Sequence, residues 1–216
     1  MQTPPSTAHY SKRVDFGRYV ARRLRRDKRT ALATGVEAAT QQVLLQGRAL
    51  EDTEGPVQEA IADRDAADDD LDVIAQQARH TLAGRSVEAA KEAPYTLIFP
   101  DGVTYYTAAT LDEETRRYGE LKSRLTEALA DDDAVRLQAV PAITAGVTAF
   151  TTATTALEAA RTAKAMASTR LDAAEEAWER QIEKVYGALL QEIGRSRAER
   201  FFPRKKTKTK AEPKQG

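Results

Sequence analysis

From Ile143 to Ile193 the apolar residues return at steps of three, four or seven, through Val147, Phe150, Leu157, Leu171, Trp178, Ile182, Val185 and Leu189. A helix turns about every 3.6 residues, so such steps put one stripe along one face of a long helix. Polar residues at Arg161, Lys164 and Ser168 weaken the stripe without changing its period. The composition agrees. Alanine supplies 39 of 216 residues, against 11 Gly and 8 Pro. Alanine is the best helix former, and such a chain does not read as a sandwich, a barrel or a disordered polymer.

The remaining segments read as more helices joined by breakers. Residues 1–9 carry Pro4, Pro5, Ser6 and Thr7 and read as a disordered start. A first helix is expected from Tyr10 to Leu50. Gly55-Pro56 closes it and opens a second, expected to run to about Glu92 with Asp70 as a possible internal cap. At Tyr95 the period changes. Tyr95–Phe99 and Val103–Thr107 flank Pro100-Asp101-Gly102, which reads as a small β-hairpin over 95–107. Thr110-Leu111-Asp112-Glu113 fits a capping box before a third helix through Tyr118, Leu121, Leu125 and Leu129. Pro141 predicts a kink or junction ahead of the last helix. Phe201-Phe202-Pro203 ends that helix, and 201–216 reads as a disordered basic tail. The fold expected is all-α: an elongated antiparallel four-helix bundle over 10–200, built from two helical hairpins, with the β-hairpin inserted between helices 2 and 3.

Charge is neutral in sum and segregated in place. Thirty-three basic residues balance 33 acidic ones. Lys12–Arg29 holds nine Lys/Arg against two Asp, and Glu51–Asp72 holds ten Asp/Glu against one Arg. Arg195–Lys214 is basic again. On an antiparallel bundle these blocks are expected at opposite ends, giving one negative and one positive pole. The candidate contacts to an anionic partner are Arg22, Arg23, Arg25, Arg26, Lys28 and Arg29, with Arg204, Lys205, Lys206, Lys208 and Lys210 of the tail. Such cations touch phosphates without reading bases. The candidate protein-interface residues are Tyr95, Phe99, Tyr105, Tyr106, Trp178, Ile182, Phe201 and Phe202, because aromatics suit interfaces. Trp178 lies on the apolar stripe and also reads as core.

Nothing points to catalysis. The chain lacks cysteine, which removes disulfides, thiolate sites and Cys nucleophiles. His9 and His80 stand apart with no metal-binding spacing, and the aspartates at 63–72 lack the glycine and glutamate of a calcium loop. No phosphate-cradling glycine motif or nucleophile elbow is present. No cofactor, metal or small-molecule substrate is therefore expected. Leu137–Leu157 is 21 uncharged residues, about a bilayer's span, but it contains six Thr, Gln138, Pro141 and Gly146. It reads as a buried soluble helix, and a membrane partner is not expected. No secretory signal is visible, so the chain reads as cytoplasmic.

Two architectural resemblances are worth stating. Long helices around a short apolar hairpin loosely resemble α-helical pore-forming toxins of the cytolysin type. The Ala/Thr-rich helices with a basic tail resemble granule-coating phasins. Neither shares a motif with this chain. The function expected is a non-catalytic scaffold or structural interaction protein, acting through an apolar helical seam and oppositely charged ends on a protein partner or on itself. The alternatives are a nonspecific nucleic-acid binder and, behind it, a membrane-active helical protein.

Overall fold

The computed structural model describes residues 3–203. The chain is a helical bundle protein with no strand among the described residues. Its helices are α1 (Tyr10–Arg26), α2 (Thr30–Glu51), α3 (Glu54–Ala83), α4 (Tyr95–Ile98), α5 (Thr104–Thr107), α6 (Glu114–Ala128), α7 (Ala134–Ile193) and α8 (Arg195–Ala198). Short 3₁₀ turns occupy Ala89–Lys91 and Glu199–Phe201. The chain gathers into two compact units. Among the described residues, those up to Thr53 and from Lys164 make the first, and Glu54–Ala163 makes the second.

In the first unit α1, α2 and the C-terminal part of α7 share one core. Val14, Val20, Leu24, Val36, Val43, Trp178, Ile182, Val185 and Leu189 are buried together there. The single helix expected over 10–50 is two helices instead. Asp27, Lys28 and Arg29 close α1, the amide of Arg29 donating to Leu24 O at 3.0 Å, with Lys28 at φ 61°. A lysine in the left-handed region costs roughly 1–2 kcal/mol. Folding back buries the stripes of both helices against Trp178 and Ile182, and each buried Val or Leu returns about 1.5–3 kcal/mol. The turn wins by a wide margin. Because α2 returns along α1, His9 sits 3.5 Å from Glu51.

Arg13 is buried in this unit, 1% exposed. Its guanidinium meets Glu175 at 3.2 Å and Glu179 at 3.4 Å, and donates to Ala8 O at 3.1 Å. Ser6 O and Pro5 O accept from it as well. The side chain thus holds residues 5–8, expected from sequence to be mobile, against α1 and α7. Burial raises the pKa of Glu175, and the Arg13 charge opposes that rise.

In the second unit α3, α6 and the N-terminal part of α7 bury Leu71, Leu82, Tyr118, Leu121, Leu125, Ile143 and Phe150. The expected β-hairpin at 95–107 is absent: its two halves are the one-turn helices α4 and α5. A strand would alternate its faces, yet Ile98 and Phe99 are adjacent and both buried. A helical turn lets Tyr95 and Phe99 pack at 5.5 Å, while Phe99 meets Tyr106 at 5.8 Å. The Tyr106 hydroxyl donates to Ile98 O at 2.8 Å. A lone two-stranded hairpin is marginal in water, whereas this aromatic cluster has Tyr118 beneath it. With the hairpin goes the resemblance to cytolysin-type toxins.

Three smaller expectations change. The second helix ends at Ala83 rather than near Glu92. The helix after Thr110 begins at Glu114, and Glu113 pairs with Arg116 and Arg117 instead of closing a capping box. Pro141 lies inside α7, which continues through it to Ile193. A proline there forfeits about 3 kcal/mol of helix stability. Ala139 and Ile143, buried on either side of it, hold the helix in place.

Two glycines test how the helices meet. A methyl on Gly17 would lie 2.0 Å from Thr40 Oγ1 and 2.9 Å from Trp178 Nε1, whereas at Gly119 nothing stands within 4 Å. Helix propensity alone gains about 1 kcal/mol for either Gly→Ala change. At Gly17 overpacking of about 1–3 kcal/mol outweighs that gain. Urea unfolding should show Gly17→Ala destabilised and Gly119→Ala stabilised by roughly 0.5–1 kcal/mol.

Candidate functional site

The outward face of α1 is mainly cationic, with Asp15 an exposed acid among its basic residues. Arg18, Arg22 and Arg26 follow one another at four-residue steps, and all three are exposed. Lys12 and Arg23, three turns apart, add an adjoining line, with Tyr19 43% exposed between them. Among the described residues none of these five cations has an ion-pair partner. Lys28 at the turn is exposed and likewise unpaired among the described residues. The other expected contacts are engaged inside the chain. Arg25 donates to Glu37 at 2.6 Å through Nε. Arg29 bonds to Asp27 at 2.7 Å and to Glu192 at 3.0 Å, and stacks 5.9 Å from the ring centre of Phe201. Their pKa values rise because these carboxylates accept from them. Arg204, Lys205, Lys206, Lys208 and Lys210 lie outside the described residues. Sequence reasoning overlooked Arg18 and Lys12, although the four-residue spacing from Arg18 was there to be read.

The outward face of α3 carries the opposite sign. Glu59, Asp63, Asp65, Asp69 and Asp70 are exposed, while Val57, Ala60, Ala67, Leu71 and Ala75 are buried behind them. Asp65 takes Arg64 Nε at 3.0 Å. Among the described residues Glu59, Asp63, Asp69 and Asp70 have no ion-pair partner. No group of three or more His, Asp or Glu among the described residues is arranged to hold a metal ion.

The expected interface residues mostly face inward. Phe99, Tyr106, Trp178, Ile182, Phe201 and Phe202 are all buried in the chain's own cores. The indole of Trp178 donates to Thr40 Oγ1 at 3.2 Å and meets Phe16 edge-on at 5.6 Å. Phe202 packs on Tyr186 at 5.5 Å. Tyr95 and Tyr105 are half-buried. Tyr105 donates to Glu120 at 2.7 Å and lies 4.7 Å beneath the guanidinium of Arg117. Tyr95 accepts from Arg79 at 3.3 Å.

A different surface is open on α7. Ala145, Ala149, Thr152, Ala156, Ala159 and Ala163 recur at steps of four and three, and all are exposed. Thr144, Thr148, Thr151, Thr152 and Thr155 donate their hydroxyls to carbonyls one turn back, at 2.8–2.9 Å. Those hydroxyls are satisfied within the helix, so the face shows methyl groups. Among the described residues α7 is the one helix long and apolar enough to cross a membrane, and 17% of that apolar window is buried. The stretch expected to be a buried helix is therefore largely open.

No protein-family model, curated protein or solved structure matches this chain. Arg22→Glu combined with Arg26→Glu should leave the unfolding free energy within about 0.5 kcal/mol of the parent, because neither cation has an ion-pair partner among the described residues. Arg29→Ala should cost about 1 kcal/mol, through its ion pair and its stacking on Phe201. Urea unfolding followed by Trp178 fluorescence distinguishes the two.

Proposed function

We propose that this chain is a non-catalytic helical scaffold that self-assembles, the basic face of α1 on one copy docking on the acidic face of α3 on the next. The observation that carries this reading is a pair of opposite charged faces on one electrically neutral chain, most of whose charges have no ion-pair partner among the described residues. The two faces match in length. Lys12–Arg26 covers about 21 Å of helix and Glu59–Asp70 about 17 Å, at about 1.5 Å per residue. Exposed ion pairs are worth about 0–1 kcal/mol each, so a handful yields a weak, salt-sensitive contact. The exposed alanine and threonine methyls of α7 supply an apolar seam that would add to it. A contact between unlike faces is heterologous, building a ring where its rotation closes and an open assembly where it does not.

A second reading uses the same basic face on nucleic acid. The line Arg18, Arg22, Arg26 with Tyr19 beside it supports it, and the sequence carries further basic residues at 204–210. Such binding would fall steeply with salt and would be indifferent to sequence.

Size-exclusion chromatography with light scattering tests the first reading. At low salt the mass should exceed one chain and should return to one chain at high salt. Arg22→Glu with Arg26→Glu should abolish assembly, as should Asp63→Lys with Asp70→Lys, and mixing the two variants should restore it. A single-chain mass at low salt and high concentration would sink the proposal. Assembly surviving both double substitutions would sink it equally. Anisotropy of a labelled duplex DNA, unchanged by the protein at low salt, would reject the second reading.

A further inference from the structure

Glu114 opens α6, and it is 1% exposed. Its Oε1 is buried and has no hydrogen-bond partner. A carboxylate at the first turn of a helix usually faces free amides and water. This one is buried, and the charges of Asp68 and Asp72 on α3 act on it. Asp72 accepts from the Tyr118 hydroxyl at 2.7 Å. On its own helix the nearest cation acting on it is Arg117, which is engaged with Glu113 and with Tyr105 O. Across Tyr118 stands Tyr106 of α5, whose hydroxyl is taken up by Ile98 O and Arg124.

Three carboxyl groups converge, therefore, with one tyrosine and one engaged arginine. A buried carboxylate with an unpartnered oxygen, beside two further carboxyls, is stabilised by taking up a proton. We propose that Glu114 is a neutral carboxylic acid that donates its proton to Asp68, and that losing this proton loosens the first turn of α6 from α3. The burial of Glu114 together with the charges of Asp68 and Asp72 pushes its pKa up to about 8. Asp72 is raised too, by burial first. Burial and the Asp72 hydrogen bond raise Tyr118. The sign follows from linkage. The folded unit holds this proton more tightly than the unfolded chain, so the stabilisation is complete below the ordinary carboxylate range. It is lost as pH rises toward and through about 8.

The experiment uses the full chain. The urea midpoint of helix loss should fall between pH 6 and pH 9, and amide exchange at 113–118, corrected for its intrinsic pH dependence, should accelerate over the same range. Glu114→Gln keeps the shape and a donor to Asp68 but cannot ionise, so it should remove most of both changes. Infrared spectroscopy of the unmodified chain gives an answer that does not require the variant to fold. A carboxylic-acid carbonyl band should persist at pH 7 and disappear on alkaline titration. Absence of that band at pH 7 would overturn the proposal, as would a pH dependence that Glu114→Gln leaves intact.

Discussion

One helix serves two cores. The N-terminal part of α7 sends Val135, Ala139, Ile143 and Phe150 into the core of the second unit, and its C-terminal part sends Trp178, Ile182, Val185 and Leu189 into that of the first. Neither set would be a core alone. Val20, Leu24 and Val36 need the Trp178 side of α7, and Leu71 and Leu121 need the Ile143 side. The other helices can be separately terminated because each half of α7 provides its own unit with an apolar edge. It also explains how a proline survives at 141. Packing on both flanks exceeds the roughly 3 kcal/mol that the missing hydrogen bond and the ring clash cost.

This dependence decides what the sequence could reveal. The stripe from Ile143 to Ile193 was legible because its period belongs to one helix and needs no partner to be recognised. The end of α1 was not. Asp27-Lys28-Arg29 contains neither glycine nor proline, and the turn exists because α2 gains more by folding back onto Trp178 than Lys28 loses in a left-handed conformation. The segment 95–107 misled for the opposite reason. Its β-branched and aromatic residues favour a strand locally, but Phe99 and Tyr106 gain more by packing on Tyr118. Tertiary context overrode propensity in both places.

The charged faces show the same division. That Lys12–Arg29 is basic and Glu51–Asp72 acidic could be counted directly. Which of those charges remain unpartnered could not, since Arg25 and Arg29 find Glu37 and Glu192 only once α1, α2 and α7 are packed. Arg13 sits inside the basic run and is the most buried cation of it, engaged with Glu175 and Glu179 far along the sequence. The aromatics chosen for an interface were drawn inward for an equally simple reason. In a chain rich in alanine, large rings are the scarce means of filling a core.

One turn of α3 joins the surface to the interior. Asp69 and Asp70 face water, while Asp68 and Asp72 are half-buried and their charges act on Glu114. Charges so close are coupled, and Asp69 already contributes to raising Asp72. A cationic partner docked on Asp69 and Asp70 would favour the ionised state of the carboxyls behind them. A proton held by Glu114 makes the whole turn less negative and relieves the repulsion among its aspartates. Docking and proton release are therefore linked with a definite sign: a cation on the outer face weakens the hold on the inner proton, and by reciprocity a lost proton strengthens the attraction for the cation. The same ionisation loosens α6 from α3, so rising pH sharpens the surface charge of α3 while weakening the packing that supports it.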